Sequence, residues 1–528
     1  MSEQEKEITQ EEEALALEEA IQMEIVRTNE RMDNLLQIDT VFPVNPSPIT
    51  FSYSVGPALT EPSTRFTVFY PKFGDRKLLY ETETKLPINN SFYFRVWPST
   101  NAEWKKWVTR VRSYKENIMR ETGILAAIDL SVHEFKQDTH LIPAALCFWN
   151  PRFNHFRFKC GPMAPTVADV CNLLGLLPVG EDPNAYMMTE KKRDYPFTKE
   201  YMAYTLYIDA YSQPEGEVND QEYYYFLAYW LSKFIFCPPS QRIVNEYSNI
   251  AKALVAGRRL ALAPHILSHV YRICYDLSDM PYLVNQGGPV WFLQMWLYAY
   301  FPELNIPVQE QIPANFGDKY IRYPPSGKSF FDLFQTFFQI NEDRPLELFQ
   351  PFRRYQLGTV VLIPTWLLEV VTQKAPEDTM QGVLGSFLIG RDIFHGGQIN
   401  QKLYKSLGEL YMPSQFARQL GFVQSIPFPM MSQSNPLVFD RSKASKDLIL
   451  EVNNDYRNKV RRLLIPTGIY SAGVMPSFDK WWKSATVEPL ARSKMFNTTF
   501  PAGEDFIYFE KTLPNRFCYL RLNIYSLL

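Results

Sequence analysis

Residues 147–180 read CFWNPRFNHFRFKCGPMAPTVADVCNLLGLLPVG and carry the densest set of local folding signals in the chain. Apolar side chains occupy every second position on both sides of the polar Asn150-Pro151 pair, namely Leu146, Phe148, Phe156 and Phe158. Alternation with a period of two is typical of β-strands, and Asn-Pro favours a turn. The pattern predicts a two-stranded ribbon with phenylalanines on one face and Arg157 and Lys159 on the other.

A short helix is expected directly after this ribbon. Thr166 followed three residues later by Asp169 matches a capping pair, in which side-chain oxygens accept hydrogen bonds from free backbone amides at a helix start. Apolar residues then recur at helical spacing, namely Val170, Leu173, Leu174 and Leu177. Gly175 and Pro178 indicate the end, because glycine tolerates a left-handed backbone and proline cannot continue a helix.

Four sequence blocks resemble the plant mobile domain, a family also labelled aminotransferase-like that occurs in plant transposable elements and in host proteins derived from them. The blocks are WNPRFNHFRF with GPMAPTVADVCNLLGLLPVG (149–180), YWLSKFIFCPPS through ALAPHILSHVYRICYDL (229–277), GGPVWFLQMWLYAYFPEL (287–304) and YMPSQFARQLGFVQSIP (411–427). They follow the order found in the family. Pro162 stands where many relatives carry an acidic residue, which places the chain nearer to the mobile-element members.

Fourteen residues of these blocks are expected to be family motif residues with structural roles. They are Trp149, Asn150, Pro151, Phe156, Gly161, Thr166, Asp169, Leu174, Gly175, Gly287, Gly288, Trp296, Arg418 and Gln419. The resemblance implies a non-catalytic interaction or scaffold protein, related to transposons, that acts in the nucleus in gene silencing, gene expression or meristem maintenance. It also implies protein partners, either a phosphoprotein phosphatase or chromatin proteins. No cofactor is expected from the residues themselves.

Composition indicates a globular protein with a large core, because 46% of the 528 residues are hydrophobic and 15% are aromatic. Thirty-nine prolines predict many short elements separated by turns. The expected fold is mainly α with minor β (α+β), a multi-helix globular core with short β-hairpins. Six widely spaced cysteines are expected to be reduced thiols in the nucleus or cytosol. The longest apolar runs fall short of the roughly 20 residues of a membrane span.

Four segments are expected along the chain: an acidic helical arm (1–39), a small strand-containing segment (40–102), the helical core (103–490) and a closing segment (491–528). The first 34 residues hold eleven acids and three bases, a net charge of −8, which leaves +5 for the rest of a chain with net charge −3. Within the core, the polar insertion 181–220 with Lys191-Lys192-Arg193 is predicted to be a loop, and 302–328 a proline-punctuated connection.

A helix capped by Thr100 and Glu103 is predicted to run to Gly123, with Trp104 and Trp107 on its apolar face. Its opposite face is basic, and the candidate phosphate contacts on it are Lys105, Lys106, Arg110, Arg112 and Lys115. Direct binding of DNA or RNA through this face is the second functional hypothesis. The favoured interpretation is a solvated face, because most such helices use their charges for solubility.

Two motifs similar to cofactor sites do not meet the physical requirements of those sites. Lys233 lies in a context similar to a pyridoxal-phosphate lysine, but inside an uninterrupted apolar helix that lacks a phosphate cup. Its amine is expected to reach the surface or a carboxylate. Ser326-Gly327-Lys328-Ser329 copies the end of a phosphate-binding loop, yet Arg322 occupies the place of the first glycine.

Metal-dependent chemistry, as in a transposase-like enzyme, is the third hypothesis. His265 and His269 lie four residues apart on a predicted helix, a spacing that suits two ligands of one metal ion, with Asp276 on the same side. Arg272 on that face opposes a cation, so a polar helix face is the favoured interpretation. The acids available to hold catalytic metals are Asp129, Asp169, Asp276 and Asp392. Nothing in the sequence singles them out, and no catalytic or metal-binding residue is assigned.

Overall fold

The computed structural model describes residues 41–43, 53–55, 93–151, 153–187, 197–279, 287–307, 312–400, 403–427, 443–463 and 473–487. The predicted acidic arm at 1–39, the basic triplet at 191–193 and the closing segment at 491–528 lie outside these ranges, as does most of the segment 40–102.

Helices make up most of the described chain. In chain order they are α1 (Ala102–Glu121), α2 (Leu125–Leu130), α3 (Leu141–Leu146), α4 (Val167–Leu174), α5 (Pro183–Met187), α6 (Tyr204–Tyr211), α7 (Asp220–Trp230), α8 (Ser248–Val255), α9 (Leu262–Asp279), α10 (Val290–Tyr300), α11 (Phe316–Ile321), α12 (Phe330–Phe338), α13 (Thr365–Val371), α14 (Glu377–Leu388), α15 (Lys446–Val460) and α16 (Pro476–Trp482). Wider π-helical turns extend α7 and α16, at Leu231–Phe236 and Lys483–Val487. Short 3-10 turns occupy Lys199–Tyr201, Asn245–Tyr247, Pro302–Leu304, Leu346–Phe349 and Pro413–Leu420.

The described strands pair antiparallel throughout, and all except β8 and β9 are short. They are β1 (Val41–Pro43), β2 (Tyr53–Val55), β3 (Trp149–Asn150), β4 (His155–Phe158), β5 (Gly161–Met163), β6 (Gln356–Leu357), β7 (Val360–Val361), β8 (Arg391–Asn400), β9 (Leu403–Tyr411) and β10 (Lys443–Ala444). Strand β4 is central to the sheet β3–β4–β5, and β9 is central to β8–β9–β10. The expected mainly α fold with minor β is therefore confirmed.

The core is built around helices without a polar face. Every residue of α10 is buried, and most of α7 is buried as well, because helices that are apolar on all sides are stable only when surrounded by other elements. Trp104 attaches α1 to this centre, since its ring stacks on Phe226 and Tyr229 of α7 with ring centroids 4.9 and 4.8 Å apart. Among the described residues, every helix is too short or too polar to serve as a membrane span.

Local predictions for the 147–180 stretch are confirmed for the helix and corrected for the ribbon. Thr166 and Asp169 form the capping box of α4, and Gly175 follows its last residue with a left-handed φ of 70°. The ribbon has three strands and not two, because β5 adds to the outer side of β4. All four residues of β4 are buried, so Arg157 does not lie on an open face.

Four other expectations differ from the structure. The polar insertion 181–220, expected to be a loop, contains the helices α5 and α6. The side chain that caps α1 is Asn101, which accepts a hydrogen bond from the amide of Trp104, and not Thr100. The proline-punctuated connection 302–328 contains the helix α11, capped by Asn315. The long hairpin β8–β9 is absent from the expected elements, because buried polar residues break the apolar alternation that identifies a strand.

Candidate functional site

Motif residues from distant parts of the sequence meet around strand β4. Phe156 stacks on Trp296 of α10 with ring centroids 5.5 Å apart and meets Trp149 edge-on at 4.8 Å. Gln419 pairs with the backbone of Ala164: the Ala164 amide donates to Gln419 Oε1 at 2.8 Å, and Gln419 Nε2 donates to the Ala164 carbonyl at 2.9 Å. We call the residues Trp149, Phe156, Asp169, Trp296, Arg418 and Gln419 the motif core.

Asp169 is the central polar residue of the motif core and is only 2% exposed. Its Oδ2 accepts hydrogen bonds from the Thr166 amide at 2.8 Å and from Trp296 Nε1 at 3.0 Å, and its Oδ1 accepts one from the Tyr300 hydroxyl at 2.7 Å. Burial raises the pKa of Asp169 to about 6, and these hydrogen bonds oppose that shift. The carboxylate thus joins the start of α4 to α10.

Glycine is required in the motif core where β5 approaches Arg418. Gly161 has a φ of 128°, and a side chain there would collide with the Arg418 guanidinium. That guanidinium donates to the carbonyl of Cys160 and lies over the ring of Phe349 at 4.1 Å. The side chains of Arg418 and Gln419 therefore fix block 411–427 against the backbone of block 149–180.

The remaining motif residues also lie in structural positions. Asn150 is in register with His155 across β3 and β4, and Pro151 follows in the turn. Leu174 is fully buried at the end of α4. Gly287 and Gly288 precede α10 where added side chains would collide with Pro239 and Ile273.

The two motifs similar to cofactor sites are engaged in contacts within the protein. Lys233 donates from Nζ to the Tyr229 hydroxyl at 3.2 Å and lies 5.3 Å from the centre of the Tyr204 ring. Desolvation lowers the pKa of Lys233 to about 8. Lys233 is half-buried, and among the described residues its amine pairs with no carboxylate and lies among aromatic rings instead. At Ser326 the backbone amide donates to the Asp138 carboxylate at 2.8 Å.

Ion pairs neutralise most of the basic face of α1. The paired cations are Lys106 with Glu103, Arg110 with Glu222, Arg112 with Asp129 and Lys115 with Asp220. Glu222 is buried in α7, so its pair with Arg110 joins two helices instead of offering charge to solvent. Lys105, the fifth candidate, is exposed. Pairing lowers the positive potential that phosphates would meet, and nucleic-acid contact by this face stays a prediction.

Three imidazoles converge where α9 packs on β8. The ring centroids of His265 and His269 are 5.2 Å apart, and those of His269 and His395 are 4.5 Å apart. His265 and His395 are buried, and His269 is mostly buried. We call the three the histidine cluster. Sequence reasoning identified its α9 pair from the spacing of four residues and missed His395, because no local pattern relates a strand residue to a helix over a hundred residues away.

Burial lowers the pKa of His265 to about 3 and those of His269 and His395 well below the ordinary value, so the rings are neutral at pH 7. Asp276 pairs with Arg272 at 3.0 Å. Within the described ranges, no group of three or more His, Cys, Asp or Glu side chains is arranged to hold a metal ion.

The four acids available for metal-dependent chemistry lie in different surroundings. Asp129 pairs with Arg112 at 2.9 Å on the α1 side, and burial raises its pKa to about 6. Asp169 belongs to the motif core. Asp276 is held by Arg272, and the buried Asp392 lines a cleft beside the histidine cluster.

That cleft has a volume of about 300 Å³ and opens between the start of α9, strand β8 and helix α15. We call it the α9–α15 cleft. Side chains of both charges line it together with neutral hydrogen-bonding groups, among them Asp182, His265, Arg391, Tyr456, Arg457 and Arg461. Apart from His265 and Asp392, sequence reasoning singled out none of its polar residues, because its walls come from five separate segments of the chain.

Comparison with known proteins identifies one family. Residues 123–323 match the family model of the plant mobile domain. No curated protein and no solved structure matches the chain. The matched range contains the first three sequence blocks, whereas block 411–427 lies beyond it and is joined to it through Arg418 and Gln419.

Proposed function

We propose, from the plant mobile domain that this chain carries at residues 123–323, that it is a non-catalytic interaction or scaffold protein of the nucleus. Its partners are chromatin proteins or a phosphoprotein phosphatase, and its role lies in gene silencing, gene expression or meristem maintenance. The family match supports this proposal. The reactive side chains support it as well, because they form contacts within the protein.

The observation that carries the proposal is the engagement of those side chains in bonds within the protein. A catalytic group must direct its bonding capacity toward a substrate. The Asp169 carboxylate instead accepts hydrogen bonds from Thr166, Trp296 and Tyr300, and the Lys233 amine lies among aromatic rings. Both therefore serve packing, which leaves the outer surface for meeting other macromolecules.

A pull-down from plant nuclear extract with the tagged full chain, read by mass spectrometry, tests the proposal. We expect specific enrichment of chromatin proteins or of a phosphoprotein phosphatase. Trp296→Ala, which disrupts the buried motif core, should abolish the enrichment. Tyr114→Ala, at a side chain that is 52% exposed on α1, is the matched control and should retain it. Equal recovery with Trp296→Ala, or recovery of bead background alone, would contradict the proposal.

The non-catalytic part of the proposal has its own test against a metal-dependent transposase-like enzyme. Elemental analysis of the purified chain should show no stoichiometric divalent metal, and DNA incubated with it in magnesium or manganese should stay intact. Stoichiometric metal together with cleavage would overturn this part.

Direct binding of nucleic acid is the second candidate, favoured by the exposed Lys105 on α1. A preference for DNA or RNA over heparin, reduced in Lys105→Gln/Lys106→Gln, would support it. Retention on heparin that vanishes at modest salt, without preference for nucleic acid, would count against it.

A further inference from the structure

We propose that the α9–α15 cleft binds a phosphate monoester, carried either by a peptide or by a nucleoside. This inference does not depend on the proposed function, because it rests on the residues of the cleft alone. One wall of the cleft is a single face of α15, formed by positions 453, 456, 457, 460 and 461. Their spacing of three and four residues places them side by side along the helix.

Two arginines on this face are suited to the phosphate. Arg457 and Arg461 lie one helical turn apart and are exposed, and no carboxylate of the described chain pairs with either. The neighbouring Lys459 does have a partner, Asp455 at 2.7 Å, and most cations of α1 are paired as well. Guanidinium groups bind phosphate through paired, charge-assisted hydrogen bonds.

Two residues that line the cleft each have a polar atom that is buried without a hydrogen-bond partner. These atoms are the hydroxyl of Tyr456 and Nε2 of His265, a residue that is 2% exposed. Buried polar groups in proteins are nearly always hydrogen-bonded, so an unpaired one at a cleft wall indicates a place for a ligand atom. The Arg391 guanidinium lies 4.1 Å from the centre of the Tyr456 ring, and both residues line the cleft together with Arg457.

The acids of the cleft set the orientation of the ligand. Asp182 accepts hydrogen bonds from the backbone and side-chain amides of Asn184, at 2.9 and 2.8 Å, and from Asn453 at 2.7 Å. Hydrogen bonds from protein groups therefore already stabilise the charge of Asp182. Asp392 is buried at the β8 wall and repels an anion there. The phosphate consequently lies at the α15 wall, and hydroxyl or amino groups of the ligand face the acids.

Calorimetric titration of the full chain tests the site with four probes: a phosphoserine peptide, its unphosphorylated form, a nucleoside monophosphate and inorganic phosphate. We expect the phosphopeptide or the nucleotide to bind and the unphosphorylated peptide not to bind. Binding of the peptide alone identifies a phosphorylated protein as the source of the phosphate, and binding of the nucleotide alone identifies a small molecule. Absence of binding by every phosphorylated probe would overturn the inference.

Matched variants separate a specific site from general charge attraction. Arg457→Gln/Arg461→Gln should weaken binding by about tenfold or more, because charge-assisted hydrogen bonds are lost. Lys446→Gln/Arg462→Gln removes the same charge from the same segment outside the cleft and should leave the dissociation constant unchanged. Equal loss in both double variants would contradict the site.

Tyr456→Phe gives an independent readout, because it removes only the unpaired hydroxyl. We expect the dissociation constant to rise by roughly threefold or more. The unfolding midpoint should stay unchanged, since the hydroxyl has no partner within the protein. Unchanged affinity in this variant would contradict the placement of the phosphate at the α15 wall.

Discussion

Asp169 of the motif core and the unpaired polar atoms of the α9–α15 cleft are buried polar groups with opposite hydrogen bonding. In the motif core, the Asp169 carboxylate accepts three hydrogen bonds, of which those from Trp296 and Tyr300 join α4 to α10. In the cleft, the Tyr456 hydroxyl and His265 Nε2 are buried and unpaired. The first arrangement stabilises the fold, and the second gives up stability. Proteins retain unpaired buried polar groups, which lower stability, mainly where a ligand can form the missing hydrogen bonds. We therefore place the binding hypothesis in the cleft and not in the motif core.

The largest expected effect comes from breaking the motif core. Trp296→Ala removes an indole that stacks on Phe156 and donates to Asp169, so we expect a loss of about 3–5 kcal/mol in the free energy of unfolding. Urea denaturation followed by circular dichroism measures it. Tyr114→Ala, at an exposed site, should change the same quantity by less than about 0.5 kcal/mol. A loss below about 1 kcal/mol for Trp296→Ala would contradict the central position of this residue.

The two capping boxes allow a sharper comparison of buried and exposed polar groups. Asp169→Asn should cost about 1–3 kcal/mol, because the amide cannot accept all three hydrogen bonds that the buried carboxylate receives. Asp332→Asn makes the same change in the capping box of α12, where the side chain is exposed, and should cost less than about 1 kcal/mol. Equal costs in urea denaturation would show that the burial of Asp169 adds nothing.

We expect acid to lower the free energy of unfolding, because the three rings of the histidine cluster are neutral in the folded state. The folded pKa values lie below the ordinary 6.5, with that of His265 at about 3. Below pH 6.5 the unfolded chain therefore binds more protons, and the stability present above pH 6.5 is lost as pH falls toward the folded values. The slope is at most about 1.4 kcal/mol per pH unit for each ring.

His269→Phe tests this dependence, because it keeps an aromatic ring and removes one titrating group. Free energies of unfolding measured between about pH 7.5 and about pH 5 should fall less steeply in this variant than in the natural chain. Arg272, whose charge also disfavours protonation of His395, is present in both proteins. Asp169 contributes the opposite trend in both, since its pKa is raised to about 6 and its contribution grows as pH falls through that value toward 3.8. Equal slopes would contradict the prediction.

The smallest effect is expected in the cleft itself. Tyr456→Phe should change the free energy of unfolding by less than about 0.5 kcal/mol, because the hydroxyl that it removes has no hydrogen-bond partner. Thermal and urea denaturation measure this difference. A loss comparable to that of Asp169→Asn would show that the hydroxyl stabilises the fold, and the contrast between the two regions would fail.

Predictions from the sequence succeed where the signal lies within a few residues. The capping box of Thr166 with Asp169 and the left-handed Gly175 follow from signals within one short stretch of sequence. Helix α11 was missed because it has only six residues, and hairpin β8–β9 because Asp392 and Glu409 interrupt its apolar pattern while being buried.

The amino-acid sequence by itself determined the helical character of the chain, the ends of its best-capped helices and its resemblance to the plant mobile domain. Only the tertiary structure brought Trp296 to Asp169, His395 to His265 and His269, and α15 to the start of α9. The physical reason is the distance in sequence between the residues that make contact. Helical and strand periodicity relate side chains within a turn or two, whereas these contacts join residues more than a hundred positions apart and depend on how whole elements pack.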